Sequence, residues 1–384
     1  METEHMNSGG RGPKPLATLV IGLVSIVLTV LFLGTVLMGN SDPGKSSDSN
    51  PINLSLMDRY DMHMTNVVSN ALDGVLSIKK VYWLSDDDLV APEPDQACYG
   101  ETDDPSTLGW LLEEAAELLE GQDTLFTTET QILPGTKVTY YLDETILAIT
   151  WKQLLDYEVY TISEVKIADA SQFRRFLAGG EYGSDKQFTT TEMATSVNAV
   201  VASSGDFYKF RRYGTIVYDG VVQRVDSWQV DTCFINDEGD LLFNYAGQIV
   251  NMEDAQKFVD ENGVRFSVAF GPILIDDGKL ATHYYDYPLG EIEDDFPRAG
   301  LGQRDKLHYI LCTVNAEFGW PNTPSIYGFA NVVKNFGCHK FYTLDGGQTA
   351  VIAMNDKLIN NVLFGFQRKI SDIIYFATAV PNGG

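Results

Sequence analysis

From Thr136 onward, apolar and polar residues alternate in short runs that are cut by Gly, Asp and Asn. The runs KVTYYL, ILAITW, VYTISEVKIA, SVNAVVA, GTIVYDGVVQRV, DTCFINDEGDLLFNY and RFSVAF are rich in β-branched and aromatic residues, which suit a pleated surface with one buried face. The period of two and the frequent turn residues predict a large, mainly antiparallel sheet system. Two segments carry a helical rhythm instead. One is NMEDAQKFVDENG, with Asn251 as N-cap; the other is SIYGFANVVKNFG, which ends at Gly337. Nothing recurs at a fixed period, so solenoids and propellers are not expected.

Before residue 130 the pattern changes. In DDPSTLGWLLEEAAELLEG the apolar residues Leu108, Leu111, Leu112, Ala115, Leu118 and Leu119 recur at helical spacing, with Pro105 near the start and Gly121 at the stop. This predicts an amphipathic helix facing a core. Further upstream, Leu16 to Met38 contains no charged residue. At about 1.5 Å per residue, such a helix matches the roughly 30 Å hydrocarbon core of a bilayer. A cleaved signal peptide is the rival, but its apolar core is ordinarily about 7 to 15 residues and ends at a small-x-small site. The following MGNSDPGK has no such site. Arg11 and Lys14 precede the span, whereas Asp42 and Lys45 cancel after it, which orients the N-terminus toward the cytoplasm.

The expected organisation is therefore a cytoplasmic segment 1–15, a transmembrane anchor 16–38, a polar linker 39–51, a helical extension 52–130 and a β-rich domain 131–380. The fold class is α+β, with flanking helices on a mainly antiparallel sheet. The protein is expected to be single-pass, with its C-terminal domain extracellular and the membrane as a partner through the anchor.

Composition narrows the function. The 384 residues include 27 Lys+Arg against 53 Asp+Glu, a net charge of -26, which repels a phosphate backbone and argues against nucleic acid as a partner. Cys98, Cys233, Cys312 and Cys338 lack Cys-x-x-Cys spacing, so they read as buried thiols rather than zinc ligands. The acidic runs Ser85–Asp88 and Glu291–Asp295 do not fit EF-hand spacing and read as solvated loops. His283, His308 and His339 form no HxH or HExxH pattern. The sequence requires no cofactor. A bridging Ca²⁺ or Mg²⁺ stays an open expectation for so acidic a chain.

Four segments carry more chemistry than turn-making needs. In NAVVASSGDFYKFRRYG a buried strand runs into Gly205 and Asp206 at its mouth. FGPILIDDGKL bends at Gly271-Pro272. PRAGLGQRDKLHYILCTV sets Arg298 and Gln303 beside a Gly-rich strand. HKFYTLDGGQTAV turns at Asp345-Gly346-Gly347, with Thr349 following and Arg368 in the later FQRKISDIIYF. Each acid or Arg could serve only a turn or a surface ion pair. The recurrence of strand, small-residue corner and polar group within one half of the chain is how a site is assembled at strand ends.

The ordered series GDFY, FGPILIDDGK, RAGLGQ, GC, TLDGGQTA and QRKISDIIYF resembles the phosphodiester glycosidase family over roughly Val197 to Ala377. That family acts on N-acetylglucosamine-1-phosphodiesters and includes bacterial exopolysaccharide-related proteins. Two positions depart from its pattern: Ala299 replaces Thr in Pro-Arg-Thr, and Gln348-Thr349-Ala350 replaces a Gly-Ser-Ser-like stretch. The resemblance implies hydrolysis of a sugar C1 to phosphate-oxygen bond, with a carbohydrate phosphodiester or anionic glycopolymer as partner. That reaction needs carboxylates at the anomeric carbon and cationic donors at the phosphate. Asp345 and Asp206 are expected as the carboxylates, and Arg298 and Arg368 as the phosphate ligands. Gly205, Gly346 and Gly347 would offer backbone N–H groups, and Gln303 and Thr349 further hydrogen bonds. The alternative is a non-catalytic carbohydrate-binding protein assisting exopolysaccharide assembly.

Overall fold

Alternating apolar residues become antiparallel strands along almost the whole domain. The computed structural model describes residues 84–381, apart from 86–87, 105–107, 109–110, 114, 120–131, 227, 288–293 and 318. The segment 1–15, the span 16–38 and the linker 39–51 lie outside the described residues. Among the described residues, no helix is long and apolar enough to cross a membrane.

The strands begin with β1 (Tyr99–Thr102), β2 (Val138–Leu142), β3 (Ile146–Leu155), β4 (Glu158–Ile167), β5 (Phe173–Leu177) and β6 (Val201–Ser204). They continue as β7 (Ile216–Tyr218), β8 (Val221–Arg224), β9 (Thr232–Asn236), β10 (Leu241–Asn244), β11 (Val264–Val268), β12 (Ile273–Asp276) and β13 (Lys279–Leu280). The last are β14 (Arg298–Asp305), β15 (His308–Asn315), β16 (Lys340–Leu344), β17 (Ile352–Met354), β18 (Lys357–Leu358) and β19 (Asp372–Phe376). Among the described residues, four α-helices accompany them: α1 (Ala116–Leu119), α2 (Thr190–Ser196), α3 (Met252–Asn262) and α4 (Ile326–Val333).

The largest sheet has nine strands in the order β1-β2-β3-β4-β15-β14-β16-β12-β13; a second has five, β18-β17-β6-β19-β5. A three-stranded sheet, β10-β9-β11, and the β7-β8 pair complete the set. The long β3–β4 hairpin turns at Asp156 and Tyr157, both at positive φ, as a two-residue turn matched to strand twist requires. β1 pairs with β2, so the stretch read as a helical extension also contributes an edge strand to the main sheet. Leu108, Leu111, Ala115, Leu118 and Leu119 are buried in the same core as Val138, Tyr141 and Trp151.

The two later helices start and stop for local reasons. Asn251 accepts a hydrogen bond from Asp254 N at 2.9 Å, and Gly263 ends α3 in the left-handed conformation. Ser325 caps α4, and the chain leaves the following 3-10 turn at Gly337, also left-handed. Cys233, Cys312 and Cys338 are buried free thiols; Cys98 is half-buried and also free.

One junction positions the chemistry. Where β16 ends, Asp345 N donates to Gly205 O at 3.1 Å, and Ser204 Oγ donates to Asp345 O at 2.9 Å. The last residues of β16 in the nine-stranded sheet are thereby fastened to the last residues of β6 in the five-stranded one. Each segment flagged for its acid thus meets the other by its backbone.

Candidate active site

The Asp345-Gly346-Gly347 corner is built so that only glycine fits. A Cβ on Gly346 would stand 2.6 Å from Pro297 O, and Gly347 has φ +62°. Gly347 N donates to Pro297 O at 2.7 Å, and the Thr349 hydroxyl donates to Gly346 O at 2.6 Å. The corner is therefore pressed against the start of β14, and the Asp345 side chain is fixed at the sheet junction.

Arg368 Nη2 donates to Asp345 Oδ2 at 2.8 Å; the Asp345 side chain is 7% exposed and that of Arg368 38%. Burial pushes the Asp345 carboxyl up to about 6, against the pull of Arg368, the Thr349 hydroxyl and Arg211. Such a carboxyl changes charge close to neutrality, which suits proton transfer. Arg368 also lies 5.0 Å from the centroid of the Phe207 ring, and its Nε is buried without a hydrogen-bond partner. Arg211 donates to Phe270 O at 3.2 Å and lies over the rings of Phe270 and Phe207. Two guanidinium groups thus share one aromatic ring beside one carboxylate.

Asp206 occupies a different setting. Its carboxylate is wholly enclosed and pairs with Arg175 Nη2 at 3.0 Å. Oδ1 accepts from Tyr208 N at 2.7 Å and Oδ2 from Ala269 N at 2.8 Å. Arg175 also pairs with Asp372 at 2.9 Å, and Asp372 Oδ2 accepts from Asp206 N at 3.1 Å. Burial pushes Asp372 up to about 7, with Arg175 pulling down and Asp206 pushing up. Gly205 is required here because a Cβ would lie 2.0 Å from Asp372 Oδ2. The arrangement is a closed brace under the site, which holds the β6 terminus that Asp345 is fastened to.

The remaining flagged residues divide. Arg298 stands at the corner, but its guanidinium donates to Pro324 O at 3.3 Å and to Asp294 O at 2.5 Å. Gln303 lies at the opposite end of β14, where it accepts from Leu241 N at 2.8 Å and donates to Asp240 at 2.8 Å. The structure does not bring it to Asp345. Gly346, Gly347 and Thr349 form the corner itself, and Ala299 and Ala350 are buried behind it.

Sequence reasoning missed Arg211, Arg175 and Asp372. A double Arg inside the apolar strand FRRFL was the available signal for Arg175, since a buried guanidinium demands carboxylate partners. His283, read as an isolated side chain, contacts buried Asp231 at 2.5 Å through Nε2, and His308 contacts Glu164 at 2.7 Å. Among the described residues, no three His, Cys, Asp or Glu side chains group to hold a metal ion.

Known proteins share this framework. Residues 197–377 match the family model described as Phosphodiester glycosidase. The SPbeta prophage-derived uncharacterized protein YomE of Bacillus subtilis strain 168 is 25% identical over 199 residues, which are 50% of this chain and 30% of that protein. This chain therefore spans less than a third of that relative. A hypothetical protein from Synechocystis has a similar fold, with TM-score 0.51 at 12% identity over 63% of this chain and 64% of that one. The zebrafish N-acetylglucosamine-1-phosphodiester alpha-N-acetylglucosaminidase catalytic domain, auto-inhibited by its pro-peptide, aligns with TM-score 0.47 at 17% identity over 68% of this chain and 92% of that one. The matched span, 197–377, holds β6 to β19 and the whole Asp345 corner and is similar to the phosphodiester glycosidase family.

Proposed function

We propose that this protein hydrolyses sugar-1-phosphodiester linkages, such as N-acetylglucosamine-1-phosphodiesters in wall or exopolysaccharide polymers. The observation that carries the reading is the Asp345–Arg368 pair, one carboxylate and one half-exposed guanidinium held 2.8 Å apart at a family-matched corner. In this reading the anionic Asp345 faces the anomeric carbon. It stabilises positive charge there and takes a proton from the attacking water. The water oxygen bonds to C1, the C1–O bond breaks, and its electron pair leaves on the phosphate as a phosphomonoester. Arg368, whose side chain is 38% exposed, and Arg211 hold the phosphate oxygens. A phosphate leaving group is already acidic, so a second carboxylate acting as general acid is not needed. Asp206 then acts by position, fixing the β6 terminus to the corner.

Residues 16–38 are proposed as the anchor that presents this domain outside the cell. A carbohydrate-binding protein without catalysis is the second reading, favoured by Ala299 and Ala350 in place of the family's hydroxyl residues and by the two carbonyls that occupy Arg298. Turnover of an N-acetylglucosamine-1-phosphodiester in ¹⁸O-water separates the cases. Label in the sugar C1 hydroxyl supports the glycosidase. Label in the phosphate would mean P–O cleavage, and no label with the substrate bound would favour the binding protein.

A further inference from the structure

Four phenylalanine rings stand out in solvent around the Asp345 corner: Phe364 is 75% exposed, Phe366 63%, Phe210 49% and Phe296 38%. Each belongs to a segment tied to the corner. The Phe366 carbonyl accepts from Gln348 Nε2 at 2.9 Å, and Arg368 follows it closely in sequence. Phe210 packs against Phe207 with centroids 4.8 Å apart and the rings tilted by 30°, and Phe207 is the ring that Arg368 faces. Phe296 precedes Pro297, whose carbonyl binds Gly347 N. Phe364 has φ +64°, a left-handed backbone that a bulky residue rarely adopts. With Gly365 at φ +78° beside it, Phe364 forms the tip of a tight turn, which holds its ring out in solvent.

Resting on the glycosidase reading above, we propose that these rings form a stacking platform for sugar residues on both sides of the scissile bond, so that the substrate is a polymer of phosphodiester-linked sugars rather than a small diester. The C–H face of a pyranose is apolar and lies flat on an aromatic ring while its rim hydroxyls stay in water. Rings on separate loops suit successive sugars. An acyl chain would need a continuous aliphatic groove, whereas Gly365 separates the two most exposed rings and Gln367 follows them. Charge opposes such a substrate: at a net -26 the protein repels an anionic polymer at long range, so the uncharged stacking of the rings has to offset that repulsion locally.

The test uses the full chain carrying Phe364→Ala or Phe366→Ala, with Phe364→Trp as the ring-preserving control. Calorimetric titrations use three probes: poly(N-acetylglucosamine 1-phosphate), the methyl diester of N-acetylglucosamine 1-phosphate, and dodecylphosphocholine micelles. Each alanine variant is expected to raise the polymer Kd about tenfold and to lower the ratio of polymer to methyl-diester kcat/KM by a similar factor. Phe364→Trp retains polymer binding. Equal polymer affinity in wild type and both alanine variants, or no polymer binding by wild type, would overturn the platform. A loss confined to micelle binding would overturn it too, by making the occupant an acyl chain. If wild type cleaves neither diester yet loses polymer affinity on ring removal, the glycosidase reading fails and the platform stands.

Discussion

Two Asp–Arg pairs sit at adjacent strand ends, and they are built for opposite purposes. At the β6 terminus, Asp206 and Asp372 enclose Arg175, all three side chains are sealed from solvent, and backbone N–H groups occupy the carboxylates. At the β16 terminus, Asp345 meets an Arg368 that is 38% exposed and keeps an unpartnered Nε. A closed network sealed from solvent specifies structure. A pair whose guanidinium is partly exposed retains capacity to bind. The residue types are the same in both places, so residue type alone could not have separated them.

That comparison can be broken most directly by removing each acid's function. Asp345→Asn is expected to lower phosphodiester cleavage about 100- to 10,000-fold while leaving the thermal midpoint unchanged or higher, because Asn resembles the neutral carboxyl that burial favours. Steady-state kinetics with calorimetric melting checks both halves. Arg175→Ala should do the reverse, lowering stability by about 3–5 kcal/mol because it leaves two buried carboxylates without their cation; urea unfolding reads it.

Much of this comparison rests on what the sequence does not state. Strands such as KVTYYL and VYTISEVKIA are legible because a buried face repeats every second residue, and α3 and α4 because their caps are local. The pairing of β16 between β14 and β12 is set by contacts between residues far apart in the chain, for which a single sequence carries no local signal. The same holds for the site. Asp345, Gly346 and Gly347 were recognisable as a corner, and Arg368 by its place in the family pattern. Asp206 looked alike in sequence, as a Gly-Asp at a strand mouth, yet Arg175 reaches it from β5 and closes it off. Gln303 shares a strand with Arg298, but the length of β14 carries it to the other end. Arg211 stood in a run of basic residues, FYKFRRYG, where nothing local marked which cation turns inward.

Smaller effects sharpen the contrast. Arg368→Ala removes the strongest cation acting on Asp345, so kcat/KM should fall about a hundredfold and the acid limb of the pH–rate profile should move upward from about 6. Arg211→Ala should shift that limb the same way by a smaller amount. A limb that stays put in both variants would remove Asp345 as its source. Stability should also respond to pH. Folding raises the Asp345 carboxyl to about 6 and Asp372 to about 7, so the folded state holds more protons than the unfolded state between about pH 4 and those values. Their joint contribution to stability therefore declines as pH rises through that window and levels off above it. Calorimetric scans from pH 4.5 to 8 should show a shallower decline in Asp345→Asn than in wild type.

The central claim is that the open pair does chemistry and the closed one holds it in place. The most direct measurement is the initial rate of free N-acetylglucosamine release from an N-acetylglucosamine-1-phosphodiester by wild type and by Asp345→Asn, each verified as folded by circular dichroism. The account predicts release by wild type and its near-complete loss in the variant. Equal release by the two proteins would place the chemistry elsewhere.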